Sequence, residues 1–239
     1  MREPVPRSIF ASLLRPVSYR IKLLLFFLAA VAVFIVMDVG YSALNTLARL
    51  DVVEAQRDLW QRPTDVIKAL DLRPGSEVVD LGCGSGYFTL RLSPRVGTRG
   101  RVIAEDIRWL PLTFLWVRTV LRRDSNVHIV HGEVSNPDLP NQRVDAVLIV
   151  NTFHELADPR PILAHIRDSL VAGGRLVIVD REPKPENIGV TETGDHEIAS
   201  EVVEADLSSA GFQVIRLQDP FINADPNNET WWMIVALNR

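Results

Sequence analysis

The sequence predicts an α/β domain on a doubly wound, mostly parallel seven-stranded sheet, with a transmembrane helix in front of it. Three observations support this prediction. A short apolar run at residues 78–81 leads through a glycine turn into a helical pattern, as in the first unit of a doubly wound domain. Further short apolar runs alternate with helical patterns towards the C-terminus. Near the N-terminus, residues 21–39 form an apolar segment long enough to cross a membrane.

Composition limits the function classes that fit the chain. The 239 residues carry a net charge of −4 and leave no basic footprint, so no nucleic-acid partner is expected. The only cysteine, Cys83, excludes an internal disulfide framework and a cysteine-based zinc site, and no metal is expected. We divide the chain into four parts: a basic tail (1–22), a transmembrane helix (21–39), a helical lead-in (40–75) and the main domain (76–239).

The apolar segment has the features of an uncleaved, single-pass membrane anchor. Its nineteen residues include Lys22 and Asp38, which lie near the ends, where their charged groups can reach the membrane surface. A secretory signal peptide, followed by export, is the alternative, but few small residues follow Met37 to support cleavage. Five Lys or Arg residues lie within residues 1–22, before and at the start of the span, and two lie within residues 38–57. The positive-inside rule therefore places the main domain outside the cytoplasm.

The lead-in is predicted to be helical over residues 41–73. Apolar residues recur at helical spacing from Leu44 to Val53, and a second helix is expected to begin at Pro63. The charged stretch at residues 56–63 is interpreted as a solvated helix, with closure over a ligand as the alternative.

The glycine turn follows the first strand and is expected to approach a ligand closely. Glycines occupy alternate positions, which permits positive φ, and the helix behind them offers free N–H groups. The dinucleotide fingerprint would need a glycine where Tyr87 stands. The pattern instead resembles the first motif of class I S-adenosylmethionine (SAM) methyltransferases, although a glycine turn without a ligand remains an alternative. The resemblance implies these SAM-binding residues: Asp80, Gly82, Cys83, Gly84 and Gly86.

The next two strands supply further candidate cofactor contacts. The second strand, residues 101–106, ends in two carboxylates, and a carboxylate there can accept hydrogen bonds from both ribose hydroxyls. The resemblance favours Asp106 for this role, with Glu105 as the competing residue and a helix cap as the other interpretation of Asp106. The third strand is followed by Glu133, which the resemblance places at the adenine amino group.

A predicted helix at residues 109–123 separates those two strands. It is apolar around much of its circumference and basic at its end, whereas a surface helix should be more polar. Burial in the core explains this pattern, and contact with a membrane surface is the alternative.

The fourth strand, residues 144–150, is followed by the sequence Asn-Thr-Phe-His-Glu. Ligands of open α/β sheets bind beyond the carboxyl ends of the strands, so residues 151–155 should face the site. The stretch resembles the fourth motif of the ubiquinone and menaquinone C-methyltransferases, within the type-11-like group. We expect Asn151 at the cofactor and His154 as a base or acceptor-orienting group, because imidazole titrates near neutral pH. A structural or helix-capping histidine is the alternative.

The remaining chain completes the predicted sheet. A helix at 159–170 leads through a Gly-Gly turn into a buried strand that ends at Asp180. A polar loop at 181–196 and another helix precede the last two strands, which the resemblance implies are an antiparallel pair. The resemblance covers residues 56–239, with five motifs in order.

The resemblance implies a SAM-dependent methyltransferase, and the predicted anchor favours a lipid-like, quinone-like or other apolar methyl acceptor. The cytosolic supply of SAM conflicts with the side of the membrane that the positive-inside rule predicts, so the side stays open. Two alternatives remain. One is a membrane protein that binds SAM without catalysis. The other is a nicotinamide-dependent oxidoreductase of the same sheet class, against which Tyr87 and the paired C-terminal strands argue.

Overall fold

The computed structural model describes residues 18–141, 143–184, 196–223 and 225–239. The chain divides into two compact units, Met1–Val53 and Glu54–Arg239, and each is described by itself. Most of the predicted basic tail and most of the predicted loop at 181–196 lie outside the described residues.

A single long helix, α1 (Tyr19–Trp60), contains the predicted membrane span. One 18-residue window of this helix has a mean hydropathy of 2.7, and none of the window is buried. By length and composition, the helix can therefore cross a membrane. The first helix predicted in the lead-in is continuous with the span, because residues 19–60 contain no proline. The one glycine among these residues, Gly40, disfavours a helix by only about 1 kcal/mol relative to alanine.

The second unit is built on one seven-stranded sheet, in the order β3-β2-β1-β4-β5-β7-β6. The first five strands run parallel, and β7 is antiparallel to both of its neighbours. This confirms the predicted doubly wound, mostly parallel sheet and its antiparallel ending. The strands are β1 (Glu77–Leu81), β2 (Arg101–Asp106), β3 (Val127–His131), β4 (Val144–Val150), β5 (Leu170–Arg181), β6 (Phe212–Ile222) and β7 (Trp231–Asn238).

Helices cover both faces of this sheet, which explains why its central strands carry apolar residues on both faces. Side chains alternate along each strand, so Val78 packs with the core under α2 and α3, while Val79 packs with the core under α5 and α6. The helices of this unit, after the end of α1, are α2 (Pro63–Ala69), α3 (Thr89–Val96), α4 (Trp109–Arg122), α5 (Pro159–Ser169) and α6 (Ser200–Ser209).

The predicted Gly-Gly turn lies inside β5 rather than before it. Val144 pairs with Leu170 and Ala146 pairs with Arg175, so the register shifts between these two pairs. Gly173 has a φ of 75° within the irregularity. Extra residues of β5 are thus accommodated as a bulge, and the strand begins earlier than its apolar run suggests.

The strand order reverses between β1 and β4, which lie side by side although β2 and β3 separate them in the chain. Because the first five strands are parallel, their carboxyl ends meet along one edge of the sheet. Ligands of such folds bind at this edge, near the reversal. The segments after β1, β2 and β4 therefore position the site.

Candidate functional site

A cleft lies at the carboxyl ends of β1, β2 and β4. It contains three residues that the sequence predicted to bind the cofactor, Gly82, Asp106 and Glu133, together with the competing Glu105. Residues 151–155 were expected to face the site, and two of them, Thr152 and Glu155, line the cleft. Sequence reasoning missed four other lining residues, each of which follows a strand end: Ile107, Arg108, Val134 and Leu156.

The glycine turn contacts the β4 loop on one side and is open on the other. Gly82 has a φ of 72°, and a Cβ there would collide with the side chain of Thr152. Gly84 has a φ of 55°, and a Cβ there would meet no atom within 4 Å. A ligand can therefore approach the backbone at Gly84, whereas Gly82 is required for close packing.

Asp106 connects the turn to the end of β2. Its Oδ2 accepts a hydrogen bond from Gly84 N at 2.9 Å, and its Oδ1 accepts one from Arg108 N at 2.9 Å. The Arg108 guanidinium lies over the same carboxylate, with Nε at 3.2 Å from Oδ1. The structure thus brings two predicted motifs together around one buried carboxylate.

Glu105 lines the same cleft and is also buried. Burial raises the pKa of Glu105 to about 7, and the charges of Asp106 and Asp80 add to the rise, while a hydrogen bond from the Gly82 backbone opposes it. Near neutral pH this carboxyl group is therefore partly protonated and can donate as well as accept a hydrogen bond.

Three of the predicted cofactor residues, which lie in the glycine turn or just before it, stabilise the turn through a hydrogen bond or close packing. Asp80 accepts a hydrogen bond from Thr89 Oγ1 at 2.5 Å, and burial raises its pKa to about 6. The buried Cys83 thiol packs in an apolar cluster, and burial raises its pKa. A Cβ at Gly86 would collide with Leu115. None of these three residues lines the cleft, and their role in cofactor binding stays a prediction.

The two other predicted cofactor residues differ in their surroundings. Glu133 is exposed at the cleft, and its backbone N–H donates to Asn136 O at 2.8 Å. Asn151 does not line the cleft. It adopts a φ of 55°, and its buried side-chain Oδ1 has no hydrogen-bond partner among the residues that the structure describes. An unpartnered buried acceptor of this kind is uncommon in folded proteins.

His154 is held by a carboxylate at the end of the neighbouring strand. Its Nδ1 lies 2.8 Å from Asp180 Oδ1, and its backbone N–H donates to Asp180 Oδ2 at 3.2 Å. In the neutral ring, a hydrogen on Nδ1 that is donated to Asp180 leaves the lone pair on Nε2. The ring is only 3% exposed, yet Nε2 has no partner within the described ranges. The position of Asp180 at the carboxyl end of β5 was the available signal for this contact.

The end of α1 belongs to the second unit and packs beside the glycine turn. Glu54 forms a bidentate pair with Arg118, at 2.6 and 2.9 Å, and Arg118 also donates to Ser85 O at 2.7 Å. The interpretation of residues 56–63 as a solvated helix is wrong for Gln61, which is 1% exposed. It is also wrong for Trp60, which is partly buried against Trp231.

The helix α4 has two different faces. Leu112 and Leu115 are buried, as the core interpretation requires. Trp109, Trp116 and Leu121 are between 59% and 71% exposed. Burial in the core therefore explains only one side of this apolar helix.

Comparison with known proteins agrees with this geometry. Residues 79–178 match a family model described as a methyltransferase domain. The chain is 32% identical over 126 residues to the ubiquinone/menaquinone biosynthesis C-methyltransferase UbiE of Vibrio cholerae, covering 51% of this chain and 46% of that protein. It is 26% identical over 140 residues to the demethylmenaquinone methyltransferase of Shouchella clausii, covering 59% and 57%. The chain thus spans about half the length of these relatives.

A solved structure shares the fold over nearly its full length. The SAM-dependent methyltransferase of Aquifex aeolicus superimposes with a TM-score of 0.67 at 23% identity, covering 81% of this chain and 98% of that one.

Proposed function

We propose that the chain is a class I SAM-dependent methyltransferase and that it transfers the methyl group of SAM to a quinone-like or lipid-like acceptor at a membrane; the matched methyltransferase domain, the relatives and the shared fold support this. The observation that carries this proposal is the convergence of Gly82, Asp106 and Glu133 in one cleft, with the open backbone of Gly84 hydrogen-bonded to Asp106 beside it. These groups match the three parts of SAM that need separate recognition.

The cofactor-binding roles follow from that convergence. The open backbone at Gly84 admits the amino-acid portion of SAM. Asp106, already oriented by Gly84 N and Arg108, accepts hydrogen bonds from the ribose hydroxyls. Glu133 accepts from the adenine amino group at the exposed rim. Asn151 Oδ1, which is buried and unpartnered within the described residues, completes the set as an acceptor beside β4.

The protein contributes alignment to the transfer. SAM supplies an electrophilic methyl group on a sulfonium, whose positive charge disappears as the carbon–sulfur bond breaks and its electron pair stays on sulfur. Strong protein charge at the reacting centre is therefore unnecessary, and holding the acceptor atom in line while excluding water is the main requirement. We assign His154 to orient the acceptor, since Asp180 fixes its ring and leaves Nε2 free. Glu155, the next residue, lines the cleft.

The acceptor class is inferred from two apolar surfaces and from the relatives. The apolar window of α1 is unburied, unlike the core helix of a soluble protein, which supports a segment that enters the membrane. The few small residues after Met37 favour an uncleaved anchor over a signal peptide. The exposed tryptophans of α4 suit a membrane interface, where aromatic rings concentrate. The names of the relatives include quinone biosynthesis. A membrane-dissolved acceptor would satisfy all three observations.

Calorimetric titration with S-adenosylhomocysteine and with NADH tests the cofactor assignment. The full chain in lipid nanodiscs should bind S-adenosylhomocysteine and not NADH. Asp106→Ala should weaken binding, while the matched control Asp168→Ala, an exposed carboxylate on α5, should not. Binding of NADH alone by the folded protein would overturn the assignment.

Isotopic labelling tests catalysis. Nanodiscs made from total membrane lipid are incubated with SAM that carries a deuterated methyl group, and the extract is examined by mass spectrometry. A labelled apolar product is expected. Binding of S-adenosylhomocysteine without any labelled product, over a range of membrane extracts, would favour a non-catalytic SAM-binding protein instead.

A further inference from the structure

We infer that His154, Glu155 and His196 bind a divalent transition-metal ion next to the cleft. Each of these residues offers one ligand atom, and the three atoms lie within 4.8 Å of one another. Two imidazoles and one carboxylate form a ligand set of the kind that zinc and similar first-row metals prefer. The single cysteine excludes a cysteine-based zinc site, but a site built from histidine and carboxylate ligands needs no cysteine.

The buried lone pair of His154 is an independent reason to expect a ligand. The ring is 3% exposed, and its Nε2 has no hydrogen-bond partner within the described parts of the chain. A buried acceptor without a partner is unfavourable, because its hydration is lost and nothing replaces it. The carboxylate oxygen Glu155 Oε1 lies 3.9 Å from Nε2, beyond hydrogen-bond distance. A cation between these two atoms would satisfy both.

Asp180 stands where the supporting residue of a metal-binding histidine normally stands. Metal-bound histidines donate their other ring N–H to a carboxylate or carbonyl, which fixes the tautomer and raises the basicity of the ligand nitrogen. Here Nδ1 lies 2.8 Å from Asp180 Oδ1, and Asp180 is fully buried. The buried Asp180 carboxylate, the His154 ring and its unpartnered Nε2 therefore have the arrangement of a supported metal-binding histidine.

The other two ligands can move into bonding geometry. Metal bonds of about 2.0–2.1 Å in a tetrahedral site place neighbouring ligand atoms about 3.4 Å apart. His154 Nε2 and Glu155 Oε1 are somewhat further apart, at 3.9 Å, and His154 is the fixed member of the pair. The side chain of Glu155 is 48% exposed, and His196 is exposed. Small rotations of these two side chains would close the site around a metal.

The metal site deepens the proposed function, and only its role towards the acceptor rests on that function. Three protein ligands leave a fourth position open, as in catalytic zinc sites. Glu155 also lines the cleft, so a metal bound here would lie beside the space proposed for the acceptor. The acceptor class is then narrowed to molecules with a hydroxyl or carbonyl oxygen that can coordinate the metal.

The test is a titration of Co²⁺ alone into chelator-treated full-length protein in detergent, prepared without a polyhistidine tag. We expect one equivalent to bind, with the visible absorption of a tetrahedral site. His196→Ala, a change at an exposed position, should weaken binding at least tenfold, and so should His154→Ala if that variant folds. The matched control His165→Ala, exposed on α5, should bind as the unmodified protein does.

The outcomes separate this inference from the proposed function. S-adenosylhomocysteine affinity is measured in the same samples and should be unchanged in His196→Ala. Unmodified protein that binds no Co²⁺, or a His196→Ala variant with the same stoichiometry and spectrum as the unmodified protein, would overturn the metal site. If S-adenosylhomocysteine still binds in that case, the proposed function stands without it.

Discussion

The carboxyl ends of β1 and β2 differ from those of β4 and β5 in whether their polar side chains have hydrogen-bond partners within the protein. At the ends of β1 and β2, Asp80 and Asp106 are held by hydrogen bonds from within the domain. After β4, Asn151 Oδ1 and His154 Nε2 are buried and lack partners among the described residues. The first region is therefore organised before a ligand arrives, and the second keeps unsatisfied groups for what it binds. Each prediction below changes one region and measures whether the other responds.

The largest effect is expected at the glycine turn. Gly84→Val should reduce S-adenosylhomocysteine binding below detection by calorimetry, because a valine side chain would fill the open space at the backbone and resist positive φ. Gly173→Val is the matched control, since that glycine also has positive φ and open space but lies in the β5 bulge. Equal affinity in folded Gly84→Val protein would contradict the site.

A selective loss of turnover is expected from a substitution in the region after β4. His154→Ala should lower methyl transfer by roughly 100-fold or more, in the range for a positioned imidazole. S-adenosylhomocysteine affinity should stay unchanged, because the region after β1 and β2 is untouched. The measurements are labelled-methyl turnover and calorimetry on the same preparation. A parallel loss of cofactor affinity would show that the two regions are not independent.

Within the cofactor region, Asp106 and Glu105 should contribute unequally. Asp106→Ala should weaken S-adenosylhomocysteine binding by about 1.5–3 kcal/mol, the range for hydrogen bonds to a charged group. Glu105→Ala should weaken it less, since this carboxyl group is partly protonated near neutral pH. Calorimetry at pH 7 compares the two variants. A larger effect of Glu105→Ala would reverse the assignment of the ribose contact.

Glu105 also makes stability depend on pH. Its pKa is raised from 4.5 to about 7 in the folded state, so the folded protein binds the proton more tightly and stability falls as pH rises through that window. Glu105→Gln should therefore stabilise the protein by about 2 kcal/mol at pH 8 and have little effect at pH 4. Urea unfolding at both pH values measures this. A stabilisation that is equal at pH 4 and pH 8 would exclude the titration of Glu105 as its cause.

No effect on either region is expected from removing residues 1–40. The full chain should remain in carbonate-washed membranes with an intact N-terminus, because residues 21–39 are long enough to span the bilayer. The shortened chain should be soluble and bind S-adenosylhomocysteine with unchanged affinity. Recovery of a soluble natural chain that begins near Leu44 would favour export. Membrane retention of the shortened chain would point to the exposed tryptophans of α4.

Prediction from sequence succeeded for features that depend on residues close together in the sequence. The strands β2 and β4 follow from local apolar runs, and the glycine turn follows from its spacing. The contact between His154 and Asp180 joins residues 26 positions apart, and the pair of Glu54 with Arg118 joins residues 64 apart. Such contacts depend on the sheet order and on helix packing, which no local pattern contains. The exposed face of α4 was likewise indistinguishable from its buried face by composition.

The pair of Glu54 and Arg118 determines which part of the chain could be transplanted into another protein. Domain boundaries usually fall in exposed linkers, whereas here the second unit begins at Glu54, inside α1. A graft that started at α2 would leave the Arg118 guanidinium buried without this carboxylate, at a cost of about 3–5 kcal/mol. That is a large share of the stability of a typical domain. Another segment could therefore replace the N-terminal part of α1 only if the exchange left the last turns of this helix in place.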